Sequence, residues 1–167
     1  MFYRIPFRTT PDTRLHSLQY RIIHRYIGCN YNLSMWKIKD SPVCISCSQL
    51  DTVEHFFYYC EEVQTIWRSL KELNTNILMS DCQFKVLEIL LGIPTTSILS
   101  KIINLLILIG KQCIYLTKKD EKNISLNMFI NSVKKQIESE MYLITIKKNK
   151  NYDCICDLFK KILDYYK

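Results

Sequence analysis

Residues 42–60 read PVCISCSQLDTVEHFFYYC, and the fold turns on this stretch. Cys44 and Cys47 stand two residues apart. His55 follows after seven more, and Cys60 after a further four. Two cysteines separated by two residues bring both sulfurs to one ion from a single tight turn. A His–Cys pair from the next, helical segment completes a tetrahedron of soft and borderline ligands, the set that zinc prefers. With four protein ligands no coordination position stays open, so the expected site is structural and not catalytic. A lone Cys-x2-Cys in a reducing compartment also serves as a redox pair, but His55 and Cys60 argue against that use here.

The chain around this knuckle reads as mostly α. Of its 167 residues, three are glycine and four are proline, which favours helices over a turn-rich sandwich. Hydrophobic residues make up 48%, enough to build a core. Upstream, residues 13–27 predict a helix capped by Asp12 or Thr13, with Leu15, Leu18, Ile22, Tyr26 and Ile27 on one stripe and Gly28 at its end. A short helix is expected over 32–38. Downstream, Thr52 or Asp51 caps a helix carrying Val53, Phe56 and Phe57. Val63, Ile66, Trp67, Leu70 and Leu73 then recur with helical period, and Glu61 and Glu62 suit the start of that helix. Further helices are expected over 82–91, over 96–117, from Ser125 to about Ile144, and from Tyr152 to Tyr165, with 143–146 the one stretch that also suits a strand. The expected organisation is a helix-plus-knuckle domain over 10–75, with a helical C-terminal extension over 76–167 packed on it.

Charge is unevenly distributed. Residues 1–41 hold seven basic side chains against two acidic, and 117–150 hold eight lysines against four acids. Residues 51–81 hold two basic against six acidic. Basic islands suit a polyanionic partner and equally serve solubility. Arg14, Arg21 and Arg25, at helical spacing, form the first candidate phosphate surface, because guanidinium forks match phosphate oxygens. Lys147, Lys148 and Lys150 form the second. Among the four consecutive aromatics, Phe56 and Phe57 are expected to be core, and Tyr58 and Tyr59 are candidates for stacking on unpaired bases. Trp36 and Trp67 read as core anchors. His16 and His24 read as helix-surface histidines. Cys29, Cys82 and Cys113 read as small buried hydrophobes, and Cys154 and Cys156 as residues on different helix faces. The N-terminus shows no apolar leader, so free thiols and a cytoplasmic or nuclear setting are expected. The most apolar run, Ile98 to Leu116, is interrupted by Lys101 and Lys111, which argues against a membrane span.

The run Ile38-Lys39-Asp40-Ser41-Pro42-Val43-Cys44, with Cys47, Glu54-His55-Phe56-Phe57, Cys60 and Trp67, resembles the zinc-binding domain that follows the polymerase region in reverse transcriptases of LINE-type (non-LTR) retrotransposons. Leu18-Gln19-Tyr20-Arg21-Ile22-Ile23-His24-Arg25 is similar to the helix that precedes the knuckle in that family. The resemblance spans about residues 15–70. It implies a helical domain with a Cys-Cys-His-Cys zinc site and contact with template RNA or target DNA. It also implies the polymerase domain of the same element as a neighbour, the chain being a C-terminal piece or truncated copy of a larger protein. It implies no catalysis, and no Ala-Asp-Asp palm motif occurs. The spacing differs from that of the retroviral gag knuckle, and the glycine usual there is missing. An alternative stays open, in which the knuckle braces a protein-interaction scaffold that docks on the polymerase domain.

Overall fold

The computed structural model describes residues 4–80, 82–94, 96–147 and 152–167. Eight α-helices occur among them: α1 (Ile5–Thr9), α2 (Thr13–Ile23), α3 (Asn30–Met35), α4 (Glu61–Leu73), α5 (Val86–Leu91), α6 (Ile98–Lys119), α7 (Leu126–Lys147) and α8 (Tyr152–Tyr165). Single π-helical turns cover His55–Tyr59 and Asn74–Leu78. No strand occurs among the described residues, and Val43 and Leu50 form one isolated β-bridge. The expected mostly-α class holds. The stretch 143–146, which also suited a strand, is the last part of α7.

Capping explains most of the boundaries. The Asp12 carboxylate accepts from the Arg14 amide at 2.9 Å and starts α2. The Ser97 hydroxyl accepts from the Ser100 amide at 3.1 Å and starts α6. Gly92 ends α5 at φ +87°, a conformation few other residues adopt. The turn after it is pinned by Asn104, whose side chain accepts from the Ile93 amide at 2.9 Å and donates to the Ile93 carbonyl at 2.8 Å.

α2 is shorter than its periodicity suggests. It stops at Ile23, and Arg25 takes a left-handed backbone conformation with φ 56°. The turn buries Ile27 and leaves Tyr26 66% exposed, so Tyr26 leaves the expected apolar stripe, of which Leu15, Leu18 and Ile22 remain buried. The following helix begins and ends earlier than the 32–38 stretch, at Asn30–Met35. The 82–91 helix is reduced to α5.

α6 is the central element. It packs against α1, α2, α4, α7 and the His55–Tyr59 turn, and Ile102, Ile103 and Leu105 through Ile109 are buried along it. It is long and apolar enough to cross a membrane by length and composition, but 67% of its most apolar window is buried inside this fold, as in a core helix. One continuous cluster of buried side chains joins Leu15, Leu18 and Ile22 of α2 to Phe57, Trp67 and Leu70, and on to Phe129, Ile137 and Phe159. Residues 10–75 and 76–167 therefore share a core. Gly110 lets α4 approach closely: a Cβ there would lie 2.9 Å from Cζ3 of Trp67.

Lys111 lies wholly buried on α6. Its ammonium donates to the Gln19 side-chain oxygen and, at 3.4 Å, to the Leu90 carbonyl. Burial pushes its pKa down to about 7. The unfolded chain keeps that lysine protonated up to roughly pH 10. Between about pH 7 and 10 the unfolded state thus holds the extra proton, so this group's contribution to stability rises with pH, by at most about 1.4 kcal/mol per unit. Below about pH 7 both states are protonated and the slope vanishes. Lys111→Met should remove this slope. Denaturant midpoints at several pH values in parent and variant measure it, and identical pH profiles for the two would refute the assignment.

Candidate metal centre

The first two ligands come from a loop shaped by its own backbone. The Cys44 amide donates to the Gln49 carbonyl at 2.7 Å, and the Ser48 amide returns to the Cys44 carbonyl at 2.9 Å. Ser48 turns the chain in a left-handed conformation, φ 58°. The amides of Ser46 and Cys47 are directed at the Cys44 sulfur.

The other two ligands come from the π turn. Residues five apart sit about 140° around an α-helix from each other, too far to share an ion readily. Here the Cys60 amide bonds the His55 carbonyl at 3.0 Å, which widens the turn and brings the two side chains to one side. The Thr52 hydroxyl accepts from the His55 amide at 3.2 Å, in keeping with its expected capping role.

The four ligand atoms all lie within 4.8 Å of one another. The Cys44 and Cys60 sulfurs are 3.8 Å apart, and the Cys47 sulfur is 3.1 Å from His55 Nε2. Ligands held at about 2.0–2.3 Å around one tetrahedral ion stand roughly 3.5–3.8 Å from each other, so the set fits zinc in geometry as well as in chemistry. Cys44, His55 and Cys60 are buried and Cys47 is half-buried.

Asp51 completes the support. One carboxylate oxygen lies 3.1 Å from His55 Nδ1, and the other accepts from the Asn30 amide at 2.8 Å. A histidine that gives Nε2 to the metal carries its proton on Nδ1, and a carboxylate there fixes the ring's tautomer and orientation. Sequence reading assigned Asp51 only a capping role. Its spacing of four residues before His55 is the one signal in the sequence that fits this contact. Burial pushes the Cys60 thiol up to about 11, against the downward pull of the Lys118 charge. The Cys44 thiol is lowered, because the Ser46 amide and the Lys118 charge outweigh its burial. All eight cysteines are free thiols. Cys29 and Cys113 are buried and Cys82 partly so, while Cys154 is exposed and Cys156 buried.

The arginine surface is not assembled as expected. Arg14 pairs with Asp12 at 2.7 Å, and Arg25, beyond the end of α2, pairs with Glu54. Arg21 packs over the Tyr115 ring at 4.9 Å and donates to its hydroxyl at 3.1 Å. The three therefore point to three different partners, although Arg14 and Arg25 keep most of their side-chain surface in solvent. The early end of α2 breaks the row. Phe56 and Phe57 are buried as expected, Tyr58 is half-buried and Tyr59 is 56% exposed. Trp67 is a core anchor and donates to the Phe57 carbonyl at 2.8 Å. Trp36 is not: it is 40% exposed and packs against Tyr26 with ring centroids 5.0 Å apart. His16 lies with Nε2 2.6 Å from the Thr10 carbonyl, and His24 lies against Tyr20. Lys148 and Lys150 lie outside the described residues, as does the side chain of Lys147.

Residues 3–67 match a family model described as zinc-binding in reverse transcriptase. The match runs through the knuckle to Trp67 in α4, and together with the Cys44, Cys47, His55 and Cys60 cluster it fits a reverse-transcriptase zinc-binding domain. No curated protein and no solved structure matches the chain significantly.

Proposed function

We propose that this chain is a non-catalytic, zinc-stabilised nucleic-acid-binding domain of a LINE-type retrotransposon reverse transcriptase, contacting template RNA or target DNA in the cytoplasm or nucleus. The observation that carries the reading is the exposed Tyr26–Trp36 ring pair. It lies inside the matched segment, and Arg25 and Lys37 adjoin it in sequence. Exposed rings beside cations are the elements from which single-strand binding surfaces are built, since every base has a face to stack and every linkage a phosphate. Arg14, Arg25 and Tyr59 keep enough exposed surface to add to it. Zinc, when bound, holds the knuckle closed and presents no open coordination position for substrate.

A second reading has its own support. α3 and the knuckle expose Met35, Ile38, Ile45 and Leu50, each at 49% or more, and exposed large apolar side chains suit docking on the polymerase domain of the same protein.

The test is fluorescence anisotropy of labelled single-stranded RNA and DNA with the zinc-loaded chain, repeated over a range of salt. Affinity should fall with salt, with a log–log slope of about −0.7 for each phosphate contact. Tyr26→Ala with Trp36→Ala should weaken binding by roughly 1–3 kcal/mol per base unstacked, leaving the salt slope nearly unchanged. Arg14→Gln with Arg25→Gln should flatten the slope instead. Absence of salt-dependent binding, together with tight association with a polymerase fragment, would replace this reading with the docking one.

A further inference from the structure

The last turn of α6 brings a cation to the knuckle. Lys118 extends over the Phe56 ring, with Nζ 4.7 Å from the ring centroid. That nitrogen is buried and has no hydrogen-bond partner. A buried ammonium without an acceptor is unfavourable unless an opposite charge stands near it. Among the described residues no carboxylate forms an ion pair with it: Asp51 contacts His55 and Asn30, and Glu121 pairs with Lys39. Lys118 and the Cys44 ligand line one cavity of about 480 Å³ between the knuckle and the end of α6, together with Ser46 and Phe56.

Loading the site creates the missing charge. Three thiolates and a neutral imidazole around a divalent ion sum to one net negative charge in a largely buried place. We propose that Lys118 is the counter-charge of the zinc centre: its buried ammonium balances the net negative charge of the loaded Cys44–Cys47–His55–Cys60 site, so that α6, outside the matched segment, takes part in holding the metal. Groups beyond the ligands tune metal affinity in this way through charge and hydrogen bonding. The assignment makes one residue act oppositely in two states. With metal the ammonium is stabilised, and without metal it is a buried cation with only a ring to face.

Lys118→Met and Lys118→Arg in the full chain test this. Zinc affinity is read by competition with a chromogenic chelator, and stability of the metal-free form by denaturant unfolding. Lys118→Met should weaken zinc binding about 10–100-fold and leave the metal-free form at least as stable as the parent. Lys118→Arg should keep zinc affinity within about threefold of the parent. Two results would overturn the proposal. One is a methionine variant that holds zinc as tightly as the parent. The other is a methionine variant whose metal-free form is destabilised along with its zinc binding, which assigns Lys118 to packing alone. Should Lys118→Met fail to fold, Lys118→Gln carries the same comparison, and failure of both likewise means packing. None of these readouts depends on nucleic-acid binding, so the assignment and the proposed function stand or fall separately.

Discussion

Removing the metal with a chelator, or replacing Cys47 with serine, should open residues 42–52 while α6 and α7 persist. The loop from Pro42 to Thr52 has almost no core of its own: Val43, Ile45 and Leu50 are all exposed. Besides the ligands it is held by the Cys44–Gln49 and Ser48–Cys44 backbone bonds and by Asp51. In small zinc modules the metal supplies roughly 10–16 kcal/mol of apparent binding energy, and folding of the ligand segment depends on it. Here the dependence should be local. Val53, Phe56 and Phe57 belong to the main hydrophobic cluster and stay anchored through Trp67. Hydrogen exchange measures this directly. The Cys44 and Ser48 amides should lose protection on chelation, and amides in the middle of α6 should keep theirs. Unchanged protection at Cys44 and Ser48 would show that the loop holds its shape without metal. Collapse of α6 protection would show that the whole core depends on the ion.

The second large effect is expected at Trp67. Its ring is 4% exposed, sits against the backbone of Gly110, and ties α4 to the π turn through the Phe57 carbonyl. Trp67→Ala should cost about 3–5 kcal/mol, combining lost burial with the cavity left behind. For a chain of this size that is a fall of roughly 6–20 °C in melting temperature. Trp67→Phe keeps most of the apolar area but leaves the buried Phe57 carbonyl without its donor, so a smaller loss of about 1–3 kcal/mol is expected. The alanine variant should also hold zinc more weakly, because the π turn that carries His55 and Cys60 is released on one side. Chemical denaturation with unchanged slope, alongside chelator competition, reads both. A loss below about 1 kcal/mol for Trp67→Ala would mean that α4 and α6 close over the gap without it.

The amino-acid sequence by itself determined the ligand set and the helical class. Cys44, Cys47, His55 and Cys60 lie within one short stretch, and metal-ligand spacing is a local property that the tertiary fold has only to close up. The long helices α4, α6, α7 and α8 were legible for a similar reason: each carries its own apolar period, and Ser125 stands just before α7. The tertiary structure alone decided what depends on distant partners. Arg25 left the α2 row because the chain turns left-handed there and Glu54, from the ligand segment, takes its charge. Trp36 stayed exposed with the Tyr26 ring beside it, and an indole looks equally suited to a core or a surface until its neighbours are known. The π turn that aligns His55 with Cys60 is one extra residue in a helical run, which periodicity does not resolve. Lys118 reaches the knuckle only because α6 crosses the core and ends there, a juxtaposition set by packing between helices and carried by no spacing along the chain.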